Sequence, residues 1–295
     1  MDTQHLQAFV AIAESGSFSA AASRLHLTQP AISKRIALLE EQLSSALFDR
    51  IGRQVVLTQA GQVLLSKARL ILNEVIAAQR AIADLKGDVE GSLSIATSHH
   101  VGLHYLPPFL REFSTRFPQV KLDLHFSDSE QAYHEILQGR FDLAIITLAL
   151  EQEPRLQSYQ LWHDQLHFVA APTHPLATQP HLQLADLSQH PAVMPDTATY
   201  TTQLINKLFE RQNASLSIGM VSNHLDTIKM LLSIGLGWGV LPKRIVDKEL
   251  TILDVRHAPI MRPLGCIHHK QRTLNNAAKV FLQMLQNQAS ISQQP

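Results

Sequence analysis

The most constraining stretch of the sequence spans residues 17–47, because it combines two helical patterns separated by a short break. The first pattern is Ala-rich and covers residues 18–25, and the second begins at Gln29-Pro30. Thr28 can act as the N-cap of the second helix, since its hydroxyl can accept a free backbone N–H. Pro30 fits the first helical turn, where its missing N–H costs nothing. The stretch therefore predicts two helices joined by a tight turn.

The second of these helices is predicted to have two different faces. Apolar residues at spacings of 4, 3 and 4 form one stripe, consisting of Ile32, Ile36, Leu39 and Leu43. Small, hydrogen-bonding and cationic residues lie opposite or at its edge, namely Gln29, Pro30, Ser33, Lys34 and Ala37. A DNA major groove accepts such a face, because amides and hydroxyls reach base edges and cations meet phosphates. We interpret residues 29–35, from Gln29 to Arg35, as the leading part of a recognition helix. The alternative is an αα-hairpin packed within a helical domain.

The flanking segments complete a small domain. Residues 3–14 carry a helical pattern closed by Ser15-Gly16, which can pack under the helix pair. Two short apolar runs around residues 51–54 predict a β-hairpin, or wing. Arg50 and Arg53 at its tip would meet phosphates or a minor groove, and the alternative for each is a solvated surface charge.

A long helix is predicted next, capped by Thr58 and ending near residues 86–88. Its apolar residues step by 4 and 3 throughout, at Leu64, Ala68, Ile71, Val75, Ala78, Ile82 and Leu85. A DNA-binding protein that places one recognition helix in each half-site must be a dimer. We therefore interpret this helix as a linker that pairs with the same helix of a second chain. The alternative is an apolar face packed on its own domain.

Composition restricts the class of protein. The 295 residues carry 25 basic and 25 acidic side chains, so DNA affinity must come from a local patch. A single cysteine, Cys266, excludes a disulfide framework and a thiolate metal cluster. Residues 1–16 lack the features of a signal peptide, and no apolar run approaches membrane-spanning length. We expect a soluble, cytoplasmic protein that does not associate with a membrane.

After residue 91 the pattern changes to strands alternating with helices, which predicts an α/β region with a parallel sheet. The predicted strands cover residues 92–97, 120–126, 142–147, 166–172, 191–195, 217–222, 237–242 and 263–269. The predicted helices cover residues 103–117, 128–140, 199–212, 223–234 and 275–288.

The first sixty residues resemble the LysR-type transcriptional regulators. The resemblance rests on Phe9, Val10, Ala13, Gly16, Ser17, Phe18, Ala21, Ala22, Leu25, Thr28, Gln29, Pro30, Ala31, Ser33, Arg35, Ile36, Leu39, Glu40, Leu43, Leu47, Phe48, Arg50, Arg53, Leu57, Thr58, Ala60 and Gly61. One departure is Ser44, where the family usually has Gly. A serine is less favourable than glycine in a left-handed conformation, so the cap of the recognition helix is expected to differ in shape.

The resemblance implies the whole architecture. An N-terminal all-α winged helix-turn-helix (residues 1–58) and a long linker helix for dimerisation (59–88) precede a C-terminal α/β two-lobed effector domain (91–295). That domain is similar to type II periplasmic binding proteins, with lobe I at about 91–161 and 266–295 and lobe II at about 162–265. The chain is expected to cross between the lobes near residues 161–163 and 264–267. Such regulators are commonly homodimers or homotetramers that bind promoter DNA and respond to a small effector.

Effector-binding residues are predicted at strand ends, where α/β sheets bind ligands beside helix N-termini. The candidates are Thr97, Ser98, His99, His100, Thr147, Asp196, Thr197, Thr199 and Asn223. The family's pocket uses Ser or Thr at the first position, which favours Thr97 and Ser98, and ordinary N-capping is the alternative. Hydroxyls and helix dipoles favour an anionic effector.

Two other interpretations concern a metal site and a different class of protein. His100 and His104 share a helical face beside His99, but no local Cys, Asp or Glu completes a metal site, so we expect no metal. An enzyme or a solute-binding protein could share a two-lobed domain. However, the sequence has no nucleophile elbow, Walker loop or dinucleotide fingerprint, and we expect no catalysis and no cofactor.

Overall fold

The computed structural model describes residues 1–51, 54–84, 88–256 and 259–292. They form two compact units, one built from Met1–Asp88 with the short segments Leu137–Arg140 and Gln271–Asn275, and the other from the remainder. Within the described ranges, no helix has the length and apolar character needed to cross a bilayer.

The first unit contains the helix pair, the hairpin and the long helix that the sequence predicts. Its elements are α1 (Thr3–Ser15), α2 (Phe18–Arg24), α3 (Gln29–Leu43), β1 (Phe48–Ile51), β2 (Gln54–Leu57) and α4 (Gln59–Asp84). The two strands pair antiparallel, with Phe48 opposite Leu57. The turn of the wing with Arg53, the side chain of Arg50 and the predicted helix end at residues 85–87 lie outside the described residues.

The apolar stripe of α3 faces the core of this unit. Ile32, Ile36 and Leu39 are buried together with Phe9 and Ile12 of α1. The prediction was wrong for Leu43, which is 38% exposed. In the last turn of α3 it lines a shallow apolar groove with Val63 of α4 rather than the core.

Ser44 ends α3 in the left-handed conformation, with φ 49° and ψ 35°. Its backbone N–H donates to the carbonyls of Glu40 and Glu41, and the N–H of Ser45 also donates to Glu40. The expected change in cap shape is therefore not observed. The serine retains the left-handed conformation, which glycine adopts without steric cost.

We predict that Ser44→Gly stabilises the first unit by about 0.5–1 kcal/mol, because it removes the Cβ penalty of the left-handed conformation. Urea unfolding followed by circular dichroism measures the change. Ser45→Gly is the matched control and should give no gain, since Ser45 does not have a positive φ. A lower midpoint for Ser44→Gly than for the wild type would contradict the prediction.

The second unit alternates strands and helices. Its strands are β3 (Gly91–Thr97), β4 (Val120–Phe126), β5 (Leu143–Thr147), β6 (Leu156–Ala170), β7 (Ala192–Met194), β8 (Ile218–Val221), β9 (Trp238–Pro242), β10 (Thr251–Ile252) and β11 (Ile260–His269). Its helices are α5 (His99–His104), α6 (Pro107–Arg116), α7 (Ser129–Leu137), α8 (Leu184–Leu187), α9 (Tyr200–Arg211), α10 (Leu225–Ser233) and α11 (Asn276–Ser292).

One mixed sheet runs through this unit in the order β4-β3-β5-β11-β6-β9-β7-β8, with β10 beside β6. The parallel pairing that the sequence predicts holds at both ends, among β3, β4 and β5 and among β7, β8 and β9. The long strands β6 and β11 join the two ends by antiparallel pairing, with Leu264 opposite Trp162. These are the segments expected to cross between lobes.

The main error in the predicted elements concerns residues 103–117. The expected single helix is two helices, α5 starting at His99 and α6 starting at Pro107. Pro107 and Pro108 lack a backbone N–H and are tolerated only in a first turn, so a new helix must begin there. Strand β6 is also much longer than the predicted strand at 166–172, and β10 and α8 were not predicted.

Candidate functional site

The leading face of α3 is open to solvent. Thr28, Gln29, Pro30 and Lys34 are exposed and Ser33 is half-buried. The Thr28 hydroxyl accepts the N–H of Ala31 at 3.4 Å, which confirms the predicted cap. The amide, hydroxyl and ammonium groups of Gln29, Ser33 and Lys34 are thus available to a partner.

Arg35 has a different environment from the rest of the predicted DNA-binding set. Its guanidinium donates to Oε1 of Gln4 in α1 at 2.8 Å, and its side chain is half-buried. This contact connects the recognition helix to α1 and fixes the orientation of the Arg35 guanidinium.

A cavity of about 60 Å³ lies in the second unit where several strands end. Its walls combine hydroxyl, imidazole, carboxylate and guanidinium groups with two apolar side chains. The lining residues are Ser98, His99, His100, Asp128, Ser129, Glu130, Thr147, Pro195, Thr199, Thr201, Asn223, Leu225 and Arg262.

The structure brings six of the nine predicted effector-binding residues to this cavity, Ser98, His99, His100, Thr147, Thr199 and Asn223. The Ser98 side chain makes no capping hydrogen bond, although Ser98 is the N-cap of α5. Thr199 does act as a cap, because its Oγ1 accepts the N–H of Thr202 at 3.3 Å. Capping therefore occupies the Thr199 hydroxyl but not that of Ser98.

Three predicted residues lie outside the cavity lining. Thr97 is 1% exposed, and its hydroxyl donates at 2.8 Å to the carbonyl of Ile145, its register partner on β5. The Asp196 carboxylate caps the N–H of Ala198 at 2.8 Å. Thr197 is exposed in the same turn.

Two carboxylates at the cavity form hydrogen bonds to distant segments. Asp128 Oδ2 accepts from Nδ2 of Asn223 at 2.7 Å, and Glu130 Oε1 accepts the backbone N–H of Tyr200 at 2.7 Å. Tyr200 is the first residue of α9, so Glu130 places a negative charge at the positive end of a helix dipole. The contacts connect the β4–α7 segment with the starts of α9 and α10.

A buried ion pair lies behind the cavity, between β6 and β11. Asp164 and Arg262 are register partners on these strands, and each is 4% exposed. The guanidinium donates through Nη2 to Oδ2 of Asp164 and through Nη1 to Thr201 at 3.2 Å. Nε2 of His100 lies 3.0 Å from the same Asp164 oxygen, and the Tyr105 hydroxyl donates to the other at 3.0 Å.

Burial and these contacts shift the pKa values of the titratable groups. Burial lowers the pKa of His100, although the hydrogen bond to Asp164 opposes the shift. Burial alone would raise the pKa of Asp164, but His100 and Arg262 hold it below its ordinary value. Burial raises the pKa of Glu130, the hydrogen bond from the Tyr200 N–H opposes the shift, and neighbouring Asp128 and Asp196 add to it. At neutral pH the arrangement favours a neutral His100 beside an ionised Asp164.

The histidines near the cavity pack against other rings. His99 contacts His224 with ring centroids 4.7 Å apart, and His100 contacts His104 at 5.0 Å. Among the described residues, no three His, Cys, Asp or Glu side chains are grouped so that they could hold a metal ion.

Family models match both parts of the chain. Residues 3–62 match the bacterial regulatory helix-turn-helix protein of the lysR family, and residues 86–290 match the LysR substrate binding domain. The chain belongs to the LysR family. It is therefore a DNA-binding transcriptional regulator with an effector-binding domain.

One relative supports this assignment, and two solved structures share the fold. A probable RuBisCO transcriptional regulator of Synechocystis is 31% identical over 94% of this chain and 83% of its own length. The structure of full-length CbnR complexed with target DNA has a TM-score of 0.67 at 22% identity, covering 98% of this chain and 100% of that chain. The effector-binding domain of QuiR in complex with shikimate has a TM-score of 0.63 at 19% identity. The match covers 69% of this chain and 99% of that chain.

Sequence reasoning missed Asp128, Ser129, Glu130, Thr201 and Arg262 as lining residues, and Asp164 behind them. The predicted strands at 166–172 and 263–269 began just after Asp164 and Arg262, so the sequence patterns did not indicate that either charge is buried. The sequence separates these two residues widely, and no local spacing pairs them.

Proposed function

We propose that this protein reads promoter DNA through the leading face of α3 and is switched by a small effector held in the cavity. The DNA-binding set comprises Thr28, Gln29, Pro30, Ser33, Lys34, Arg35, Arg50 and Arg53. The effector set comprises Ser98, His99, His100, Thr147, Thr199 and Asn223 of the predicted residues, with Arg262 and Thr201 added. We assign it no catalytic role and place it in the cytoplasm, as expected of a regulator of transcription.

The exposed Gln29 and Ser33 side chains carry the DNA-reading proposal. They lie one helical turn apart at the start of α3, where a recognition helix meets base edges. Lys34, also exposed, suits a phosphate because an ammonium group contributes charge without reading sequence.

We predict that Gln29→Ala or Ser33→Ala weakens binding to the cognate site by about 1–3 kcal/mol more than binding to random DNA, since a base contact is lost. Lys34→Ala should weaken both similarly and reduce the salt dependence. Fluorescence anisotropy with both DNAs at several salt concentrations measures these effects. Gln42→Ala, exposed at the far end of α3, is the matched control. An unchanged specificity ratio for Gln29→Ala would place the reading surface elsewhere.

Exposed apolar side chains support a homodimer or homotetramer. On α4, Ile71 is 38% and Val75 40% exposed, whereas Ala68 of the same predicted heptad stripe is buried. The outer part of the stripe is therefore available to a second copy. The second unit exposes further apolar side chains on β8 and at the end of α10, namely Met220, Val221, Met230, Ile234 and Leu236. Two such surfaces on separate units suit a dimer of dimers.

The effector is proposed to carry an anionic group. Arg262 and the N-terminal turns of α7, α9 and α10 contribute residues to the cavity, and backbone N–H groups at helix N-termini favour anions. Calorimetry in which only compounds lacking an anionic group bind would contradict this assignment.

Ligand binding is a better explanation of switching than thiol oxidation. The single cysteine, Cys266, is buried in β11, and burial raises the pKa of its thiol above the ordinary range. A buried neutral thiol is a poor nucleophile toward oxidants.

Mapping the genomic sites bound by the full-length protein tests the function as a whole. Reproducible enrichment at promoters that is lost in Gln29→Ala would support regulation of transcription. Binding without any sequence preference would refute it.

A further inference from the structure

Two residues that line the cavity, Arg262 and His100, each carry a buried side-chain nitrogen that lacks a protein partner. In the described part of the chain, Nε of Arg262 and Nδ1 of His100 have no hydrogen-bond partner. Arg262 Nε can only donate. His100 bonds the ionised Asp164 through Nε2, which therefore carries the proton, so a neutral ring leaves Nδ1 as an acceptor. An unpaired buried polar atom is costly, and a ligand in the cavity can satisfy it.

The two residues that carry the unpaired atoms are neighbours. Nη2 of Arg262 and Nε2 of His100 both contact the same oxygen, Oδ2 of Asp164. A ligand that satisfies both unpaired atoms must present an acceptor to Arg262 and a donor to His100. A carboxylate and an ammonium group on one carbon have this arrangement.

The charges at the cavity favour a ligand with both signs. The charge of Arg262 is already balanced by Asp164, while Asp128 and Glu130 add negative charge to the lining. The pKa of Glu130 is raised first by burial and further by Asp128 and Asp196, so a nearby positive group would be favourable. A simple anion would meet these carboxylates without compensation.

The enclosed space also limits the ligand. A cavity of about 60 Å³ equals the liquid volume of about two water molecules, so it admits only the polar end of a small ligand. The head group of an amino acid is among the smallest groups that carry both charges, with one nitrogen, two carbons and two oxygens. A larger side chain would have to extend toward the exposed mouth beside Asp128 and His99.

We propose that the effector is an α-amino acid bound by its zwitterionic head group. Its carboxylate accepts from Nε of Arg262 and the hydroxyl of Ser98, and its ammonium group donates to Nδ1 of His100 and approaches the Glu130 and Asp128 carboxylates. This inference rests on the proposed effector role of the cavity and specifies its ligand class.

Calorimetry on the full-length protein at neutral pH tests the ligand class. The probes are the standard L-amino acids, each paired with the carboxylate that lacks the amine, such as L-alanine with propionate. We expect at least one amino acid to bind and its deaminated analogue to bind about tenfold or more weakly. Absence of binding by every amino acid, or equal binding of the paired carboxylate, would overturn the proposal.

Substitutions locate the binding site. Glu130→Gln and Asp128→Asn should each weaken the amino acid by about tenfold, because the ammonium loses an ionised neighbour. Glu210→Gln and Asp123→Asn remove exposed carboxylates elsewhere in the same unit and are the matched controls. Equal losses in controls and test variants would overturn the placement of the ammonium group.

Binding of the genomic DNA site, measured on the same preparations, separates this inference from the proposed function. A protein that binds its site but no amino acid refutes the ligand class alone. A protein that binds an amino acid but no specific DNA refutes the function while retaining the ligand class.

Discussion

Asp164→Ala is expected to destabilise the second unit by about 3–5 kcal/mol, because it leaves the Arg262 guanidinium buried without a counter-charge. Each of the two residues is 4% exposed, so solvent cannot replace the lost partner. The substitution also removes the acceptor of His100 and Tyr105, which adds two unsatisfied polar groups. The loss should therefore exceed that of an ordinary surface ion pair.

Chemical denaturation of the full-length protein, followed by tryptophan fluorescence, measures this loss. Trp162 and Trp238 both lie in the strands of the second unit, so the signal reports on that unit. The double variant Asp164→Leu with Arg262→Met should recover much of the stability, since it removes both charges. Asp254→Ala is the matched control, because the pair of Asp254 with His181 is exposed and its loss should not change the midpoint. A loss of under about 1 kcal/mol for Asp164→Ala would show that the pair is not buried as described.

Ile71→Asp is expected to dissociate the proposed dimer and to lower operator affinity by about a hundredfold or more. An aspartate in an apolar helix interface must be buried unpaired or separate the helices. Once the copies separate, the two recognition helices no longer bind as a linked pair, and the gain from bivalent binding is lost. The affinity of one winged helix for a single half-site should remain unchanged.

Sedimentation and DNA binding measured on the same samples distinguish dissociation from unfolding. Gln62→Asp introduces the same charge at an exposed position of α4 that points away from Ile71 on a helical projection. That control should sediment as the wild type and retain full affinity. An Ile71→Asp protein of unchanged sedimentation would refute the role of this face in dimerisation.

Local patterns were sufficient to predict much of the fold. Strand β4 was predicted at its observed bounds of Val120–Phe126, because its apolar residues alternate between definite ends. The error at Pro107 came from following apolar periodicity through a residue that requires a helix start. Strand β6 was recognised only near its end, since its first part mixes polar and apolar side chains along an extended pairing with β11.

The candidate site was less predictable, because its chemistry depends on contacts between distant segments. Ser98 and Asn223 were found from their positions after strands, where helices begin. Thr97 does not line the cavity, because it is the last residue of β3 and its buried hydroxyl donates to the carbonyl of Ile145. Arg262 was missed because its partner Asp164 is distant along the chain and adjacent only through strand pairing.

The position of β11 in the sheet has a consequence for synthesis on the ribosome. Strand β5 needs β11 along one edge, yet more than a hundred residues separate Thr147 from Ile260. At ordinary translation rates, about ten seconds pass between the synthesis of β5 and that of β11. Over the same period Phe113 lacks its ring contact to Phe281 of α11. During that interval an unpaired apolar strand is exposed to other nascent chains. Early termination shortly before β11 should therefore yield an aggregation-prone product, and a chaperone that shields the growing chain should improve the yield of the full-length protein.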